Sequence, residues 1–287
     1  MISVNNLSFT YATAPEPAVS GIEFGVERGE IFGFLGPSGA GKSTTQRVLI
    51  GLLKDFEGQI DVLGQSVSSW GADYYERIGV SFEVPNLYQK LSGTENLTYF
   101  GSLYGGETLS PEALLEMVGL EADGDMLVSQ YSKGMRNRLN VARALIHQPE
   151  LLFMDEPTAG LDPVNALRIK GLIREQQAQG RTVFLTTHDM TVADQLCDRV
   201  AFIIDGQIRL IDSPRSLKLQ HGSQRVRVEY RQNGSTAGQD FDLSGLGENG
   251  DFLQLLKQQE VETIHTQEAT LEDIFIQVTG RSLAEEV

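Results

Sequence analysis

The 287-residue sequence has a single cysteine, Cys197, so no disulfide can form within the chain, and one lone thiol suits a reducing compartment. No apolar run approaches the ~18 residues that would span a bilayer, so work at a membrane would need another chain as anchor. The start, Met1-Ile2-Ser3-Val4-Asn5-Asn6, lacks the charged opening of a secretory signal. The four histidines, His147, His188, His221 and His265, are scattered and have no cysteine partners at metal-cluster spacing. Positive charge is scarce: 23 Lys and Arg face 39 Asp and Glu, for a net charge of −16. Phosphate backbones require clustered cations, so this balance argues against nucleic acid as a partner. No internal repeat or low-complexity tract is evident. The length allows one large domain plus a small one.

The strongest feature present is Gly36-Pro37-Ser38-Gly39-Ala40-Gly41-Lys42-Ser43-Thr44, which fits G-x-x-x-x-G-K-[ST] without a gap. Ile31 to Leu35 before it reads as a buried strand, and Ser43 to Leu53 after it as a helix with Val48, Leu49, Leu52 and Leu53 on one side. Glycines let successive backbone N–H groups wrap phosphate oxygens at an electropositive helix start. Lys42 would reach the outer phosphates and the Ser43 hydroxyl would ligate Mg²⁺.

Other segments converge on the same chemistry. Leu151-Leu152-Phe153-Met154 followed by Asp155-Glu156 reads as a central parallel strand delivering two acids at its carboxyl end. Asp155 could hold Mg²⁺ through its water shell, and Glu156 could orient or deprotonate an attacking water. Thr182 to Thr187 reads as another buried strand, and it delivers His188 to the same edge as a γ-phosphate contact. Ser132 is placed to cap a helix, and with Gly134 it offers a second anion site, although a plain capped helix fits as well. Tyr11, at a strand end, could stack on a base or simply pack.

The remaining organisation is coarse. Residues 1 to 30 look like a small antiparallel section, residues 85 to 147 like a helical subdomain, and Val200 to Leu210 like a hairpin with an Asp-Gly turn. After Asp212-Ser213-Pro214 the character shifts. Arg225 to Tyr230 alternates strictly, Gly234 to Gly250 is polar and Gly-rich, and Phe252 to Gln259 looks helical. Residues 216 to 287 therefore read as a small α+β domain with no catalytic constellation, behind a main domain over 1 to 215.

Motif order carries a resemblance. Lys42 comes first, then Tyr131-Ser132-Lys133-Gly134-Met135, then Asp155 only 23 residues after Ser132, and His188 last. Over residues 1 to about 212 this resembles the nucleotide-binding subunit of ATP-binding-cassette (ABC) transporters. The tail, His265 to Phe275, resembles the C-terminal domain of the drug-resistance branch. The resemblance implies an α/β fold, the P-loop NTPase ABC domain with a mixed sheet core, an antiparallel section and a helical subdomain. It implies ATP and Mg²⁺, and a head-to-tail homodimer with two ATPs sandwiched in it. It also implies a separate ABC-2-type transmembrane permease, attachment at the cytoplasmic face of the membrane, and export of drug-like or lipid-like cargo, leaning to the fluoroquinolone type. Residue by residue, Tyr11 matches the adenine-stacking aromatic, and Ser132 and Gly134 match the residues gripping ATP on the other protomer. Asp155 and Glu156 match the metal-binding acid and catalytic base, Asp162 the loop that communicates across the dimer, and His188 the switch histidine.

Two motifs depart from that family's pattern. The signature is Tyr-Ser-Lys-Gly-Met instead of Leu-Ser-Gly-Gly-Gln, and Glu83 stands where the family has a metal-contacting glutamine. Glu83 could ligate the metal or point away from it. The rival readings are a soluble cassette ATPase of cofactor assembly, DNA repair or translation, a P-loop small-molecule kinase, and a non-catalytic module. The first often carries two cassettes or a long coiled coil, both absent here. Ser132-Lys133-Gly134 disfavours the second, and the Asp155-Glu156 pair the third.

Overall fold

The computed structural model describes residues 1–222, 225–232, 234–267 and 269–280. Glu268, inside the tail motif, and residues 281–287 of the expected accessory domain lie outside it.

Strand β1 (Ile2–Phe9) pairs antiparallel with β2 (Val19–Val26), and their buried residues alternate on either side of a bulge near Asn6 and Gly21. The buried strand β3 (Ile31–Leu35) then runs into the glycine loop and α1 (Lys42–Leu49). This helix stops four residues short of the expected Leu53. The chain leaves helical geometry at Ile50, Gly51 takes φ 75°, and the buried Tyr74 hydroxyl donates to the Leu49 carbonyl at 2.6 Å. Strands β4 (Glu57–Val62) and β5 (Gln65–Ser66) complete the antiparallel sheet in the order β2-β1-β4-β5.

Strand β6 (Ile78–Ser81) leads to three helices, α2 (Gly93–Gly101), α3 (Pro111–Val118) and α4 (Lys133–Ala144). Each is started by a serine. Ser92 and Glu95 form a reciprocal capping box, Ser110 caps with Pro111 in the first turn, and the Ser132 hydroxyl accepts the Met135 N–H. The chain then returns through β7 (Leu151–Asp155), α5 (Pro163–Ala178), β8 (Thr182–Thr187), α6 (Met190–Leu196), β9 (Arg199–Ile204) and β10 (Gln207–Asp212). The central sheet has the order β10-β9-β3-β8-β7-β6, parallel except for β10. Asp205 and Gly206, at φ 48° and 69°, make the tight β9–β10 turn that such a hairpin needs.

The two sheets meet in an aromatic core. Phe24 of β2 stacks on Phe32 of β3 with centroids 5.7 Å apart and leans on Phe34 and Phe184. The result is a mixed sheet with an antiparallel sheet packed on it and a helical insertion between β6 and β7, the arrangement the resemblance implies.

The chain divides between Asp212 and Ser213, three residues before the expected boundary. Ser213 belongs to the second unit because its hydroxyl accepts the Ser216 N–H and caps α7 (Pro214–His221). That unit continues with β11 (Arg225–Gln232), β12 (Ser235–Asp242), α8 (Gly250–Gln258), β13 (Glu260–Gln267) and α9 (Leu271–Thr279), with the sheet order β12-β11-β13. Much of the polar stretch from Gly234 to Gly250 is therefore an edge strand, held by the ladder to β11 with only Phe241 buried.

Candidate active site

Strands β3, β8 and β7 are adjacent and parallel, so their carboxyl ends form one edge, where open α/β sheets bind ligands. Glycines shape the loop after β3. A β-carbon on Gly36 would stand 2.2 Å from the Ile203 carbonyl oxygen, and Gly41, at φ 107°, would place one 2.7 Å from that of Ala18. The loop is braced from the side as well, since Gly206 donates its N–H to the Ala40 carbonyl at 3.1 Å. Gly41 caps α1 without any side-chain bond, which leaves the first-turn N–H groups for an anion. Lys42 Nζ donates to the Gly36 and Pro37 carbonyls at 2.7 and 2.8 Å, so the ammonium is held over the cradle. Tyr11 meets this loop through Thr44, hydroxyl to hydroxyl at 3.2 Å, while its ring packs edge-on against Phe9.

A cavity of about 240 Å³ joins the loop to the acids. It is lined by Ser38, Gly39, Gly41, Lys42, Ser43 and Thr44 with Glu83, Asp155, Glu156 and His188. Ser43 donates to Asp155 Oδ2 at 3.4 Å, and the Thr186 hydroxyl donates to Oδ1. Burial pushes the Asp155 carboxyl above its ordinary range. The Thr186 bond opposes that shift, the Glu83 charge adds to it, and Lys42 and Ser43 pull it back. Hydroxyl and carboxylate oxygens are the hard donor set that would suit Mg²⁺.

Glu156 follows Asp155 with its backbone in the left-handed region, φ 47°. That conformation costs a non-glycine residue about 1 kcal/mol and persists only where surrounding bonds over-determine it. Here its N–H donates to the Thr186 carbonyl at 2.9 Å and both carboxylate oxygens accept bonds. Thr187 donates to Oε2 at 2.8 Å, the His188 N–H donates to Oε1 at 2.8 Å, and His188 Nδ1 lies 2.6 Å from Oε1.

Ser132 and Gly134 do not reach this cavity. They line another, of about 310 Å³, with Lys133, Arg138, Leu161 and Asp162. Asp162 caps α5, its Oδ1 accepting the Val164 and Asn165 N–H groups at 3.0 Å each. The Asn165 side-chain amide and then its backbone N–H hold this carboxyl below the ordinary range. The buried Asn137 ties α4 to the segment after Glu156 by donating to the Ala159 carbonyl at 3.0 Å. Sequence reasoning missed Asn137, Thr186 and Thr187. The pair of hydroxyls ending an otherwise apolar strand, directly before His188, was the available signal for the last two.

These features have counterparts in known proteins. The ABC transporter family matches residues 19–159, and the fluoroquinolone efflux ABC transporter C-terminal domain family matches residues 224–268. A fluoroquinolones export ATP-binding protein of Mycobacterium tuberculosis (strain CDC 1551 / Oshkosh) is 58% identical over 99% of this chain and 94% of its own length. The bacitracin transport ATP-binding protein of Bacillus licheniformis is 32% identical over 98% of this chain and 97% of its own. A solved dimeric ATP-binding cassette in a post-hydrolysis state with ADP and Pi superimposes with a TM-score of 0.68. It is 27% identical over 74% of this chain and 98% of the cassette. With a phosphate cradle, two acids and a histidine on one sheet edge, and with likeness running through nearly the whole length of its relatives, this chain belongs to the ATP-binding subunits of ABC transporters.

Proposed function

We propose that this chain is the ATP-hydrolysing subunit of a drug exporter, working as a head-to-tail homodimer on the cytoplasmic face of an ABC-2-type permease. The observation that carries the export reading is the 58% identity, over nearly full length, to a fluoroquinolones export ATP-binding protein. The cargo assigned on that basis is a drug of the fluoroquinolone class.

Several features support the arrangement. Ser132 and Gly134 line a cavity separate from the phosphate cradle, so one copy alone does not bring them to its own ATP, whereas two-fold pairing would. In that pairing Tyr11 would stack on adenine, residues 36 to 44 would hold the phosphates, and Ser43, Asp155 and Glu83 would hold Mg²⁺, which would screen phosphate charge. Glu156 accepts the proton of the attacking water, His188 contacts the γ-phosphate, and Asp162 relays closure between copies. No helix among the described residues is long and apolar enough to cross a membrane, and a net charge of −16 is repelled by anionic lipid. Attachment therefore falls to a protein partner. An apolar groove of about 280 Å³, lined by Leu52, Tyr75, Phe82, Phe100 and Tyr104 just beside Glu83, suits a short cytoplasmic helix of that partner.

The test is a tagged pull-down from detergent-solubilised membranes with mass spectrometry of stoichiometric partners. A polytopic membrane protein is the expected result, and recovery of ribosomes or an assembly complex would overturn the export reading. Glu83→Gln tests the metal set separately. Replacing the carboxylate by an amide removes a charged oxygen donor, so hydrolysis is expected to persist while the metal preference changes. An unchanged Mg²⁺/Mn²⁺ activation profile counts against ligation by Glu83.

A further inference from the structure

We infer that Thr187 is a positioning residue for the hydrolytic step, fixing Glu156 through Oε2 so that Oε1 is the oxygen presented to the attacking water. The inference rests on Glu156 being the base. It follows from how the bonds around this carboxylate differ in permanence.

Thr187 is 1% exposed, at the end of β8. Its oxygen accepts the Asp189 N–H at 3.0 Å, and its own proton then points along the 2.8 Å contact to Glu156 Oε2. The hydroxyl is thus oriented by backbone on one side and committed to the carboxylate on the other. A β-branched side chain has few χ1 alternatives, so the donor does not wander. With Thr187 buried, bulk water does not reach its hydroxyl to take over the bond.

The other side of the carboxylate is held differently. Oε1 accepts the His188 N–H at 2.8 Å and faces Nδ1 of the same residue at 2.6 Å. A carboxylate only accepts, so Nδ1 carries the proton in this pairing. The His188 side chain is 62% exposed and borders the phosphate cavity, so its ring has room to swing away. Rotation of that ring frees a lone pair on Oε1 and leaves the Thr187 bond to Oε2 untouched. Both oxygens start engaged, and Oε1 is the one that loses a partner, keeping the His188 N–H while the mobile ring leaves. Without Thr187 the carboxylate would pivot about its remaining bonds just when its aim matters, and reacting groups displaced by about 1 Å can lose ~100-fold in rate.

Thr187→Val keeps the shape of the side chain and removes the donor, and Thr187→Ser keeps the donor. Steady-state ATPase of the full chain with Mg²⁺ is expected to show kcat about 10- to 100-fold lower for Thr187→Val at unchanged KM, with Thr187→Ser restoring most of it. In a Glu156→Gln background, Thr187→Val is expected to change the residual rate by less than about two-fold, because both act at one carboxylate. Wild-type kcat in Thr187→Val overturns the inference, as does a Thr187→Ser variant equally impaired, which would mark a packing role. Full multiplicativity of the double variant also overturns it. Rapid turnover of Glu156→Gln alone would instead remove the base assignment, and the two failures are therefore told apart.

Discussion

Glu156→Gln is expected to bind ATP normally and to turn it over about 10²- to 10⁴-fold more slowly, the usual loss when a general base is removed. That corresponds to roughly 3–5 kcal/mol of barrier. The substitution is geometrically quiet. The amide oxygen can keep the His188 N–H, and the amide NH₂ can donate to Thr187 Oγ once that hydroxyl turns its proton aside. The φ of 47° therefore stays supported while basicity disappears. With ATP present, this variant should elute from gel filtration as a dimer retaining two nucleotides, because closure persists when hydrolysis cannot reopen it. Rapid turnover in the variant would withdraw Glu156 from the role.

Gly36→Ala should do its damage before any chemistry begins. Its added carbon meets the Ile203 carbonyl at 2.2 Å, backbone against backbone, and no rotamer relieves the overlap. The expected cost is about 3 kcal/mol of stability in urea unfolding, in the range for overpacking a tight core position, with ATP affinity lost as the loop shifts. Gly39→Ala is the internal control. A β-carbon there meets nothing within 4 Å, so it should cost only the left-handed backbone penalty of about 1 kcal/mol at its φ of 75°. Equal effects from the two substitutions would show that contact with β9 is not what restricts Gly36.

The contrast between those glycines marks where sequence reading reaches its limit. Lys42 and Ser43 were legible from the G-x-x-x-x-G-K-[ST] spacing after an apolar strand, and Asp155 and Glu156 from the apolar run they end; His188 was legible because it follows a second strand with an apolar centre. The same reasoning was blind to β12 and β13. Their side chains are mostly exposed, so no alternation in hydrophobicity shows, and a ladder to β11 holds them. It overran α1 because Leu52 and Leu53 continue the apolar spacing past Ile50, where Tyr74, 25 residues on, helps end the helix. Thr187 was missed for a related reason. A threonine in a strand looks like β-propensity until its hydroxyl is seen to have a partner 31 residues away.

The register between β7 and β8 sets Asp155 opposite Thr186, and β8 also pairs with β3, which feeds the glycine loop. The groups proposed to act on ATP thus come from three strands distant in the chain, and no one of them meets the others until all are zipped side by side. A nascent or partly unfolded chain has a phosphate loop but no aligned acids, so it cannot burn ATP idly. Competence to consume fuel becomes a report that the central sheet is complete.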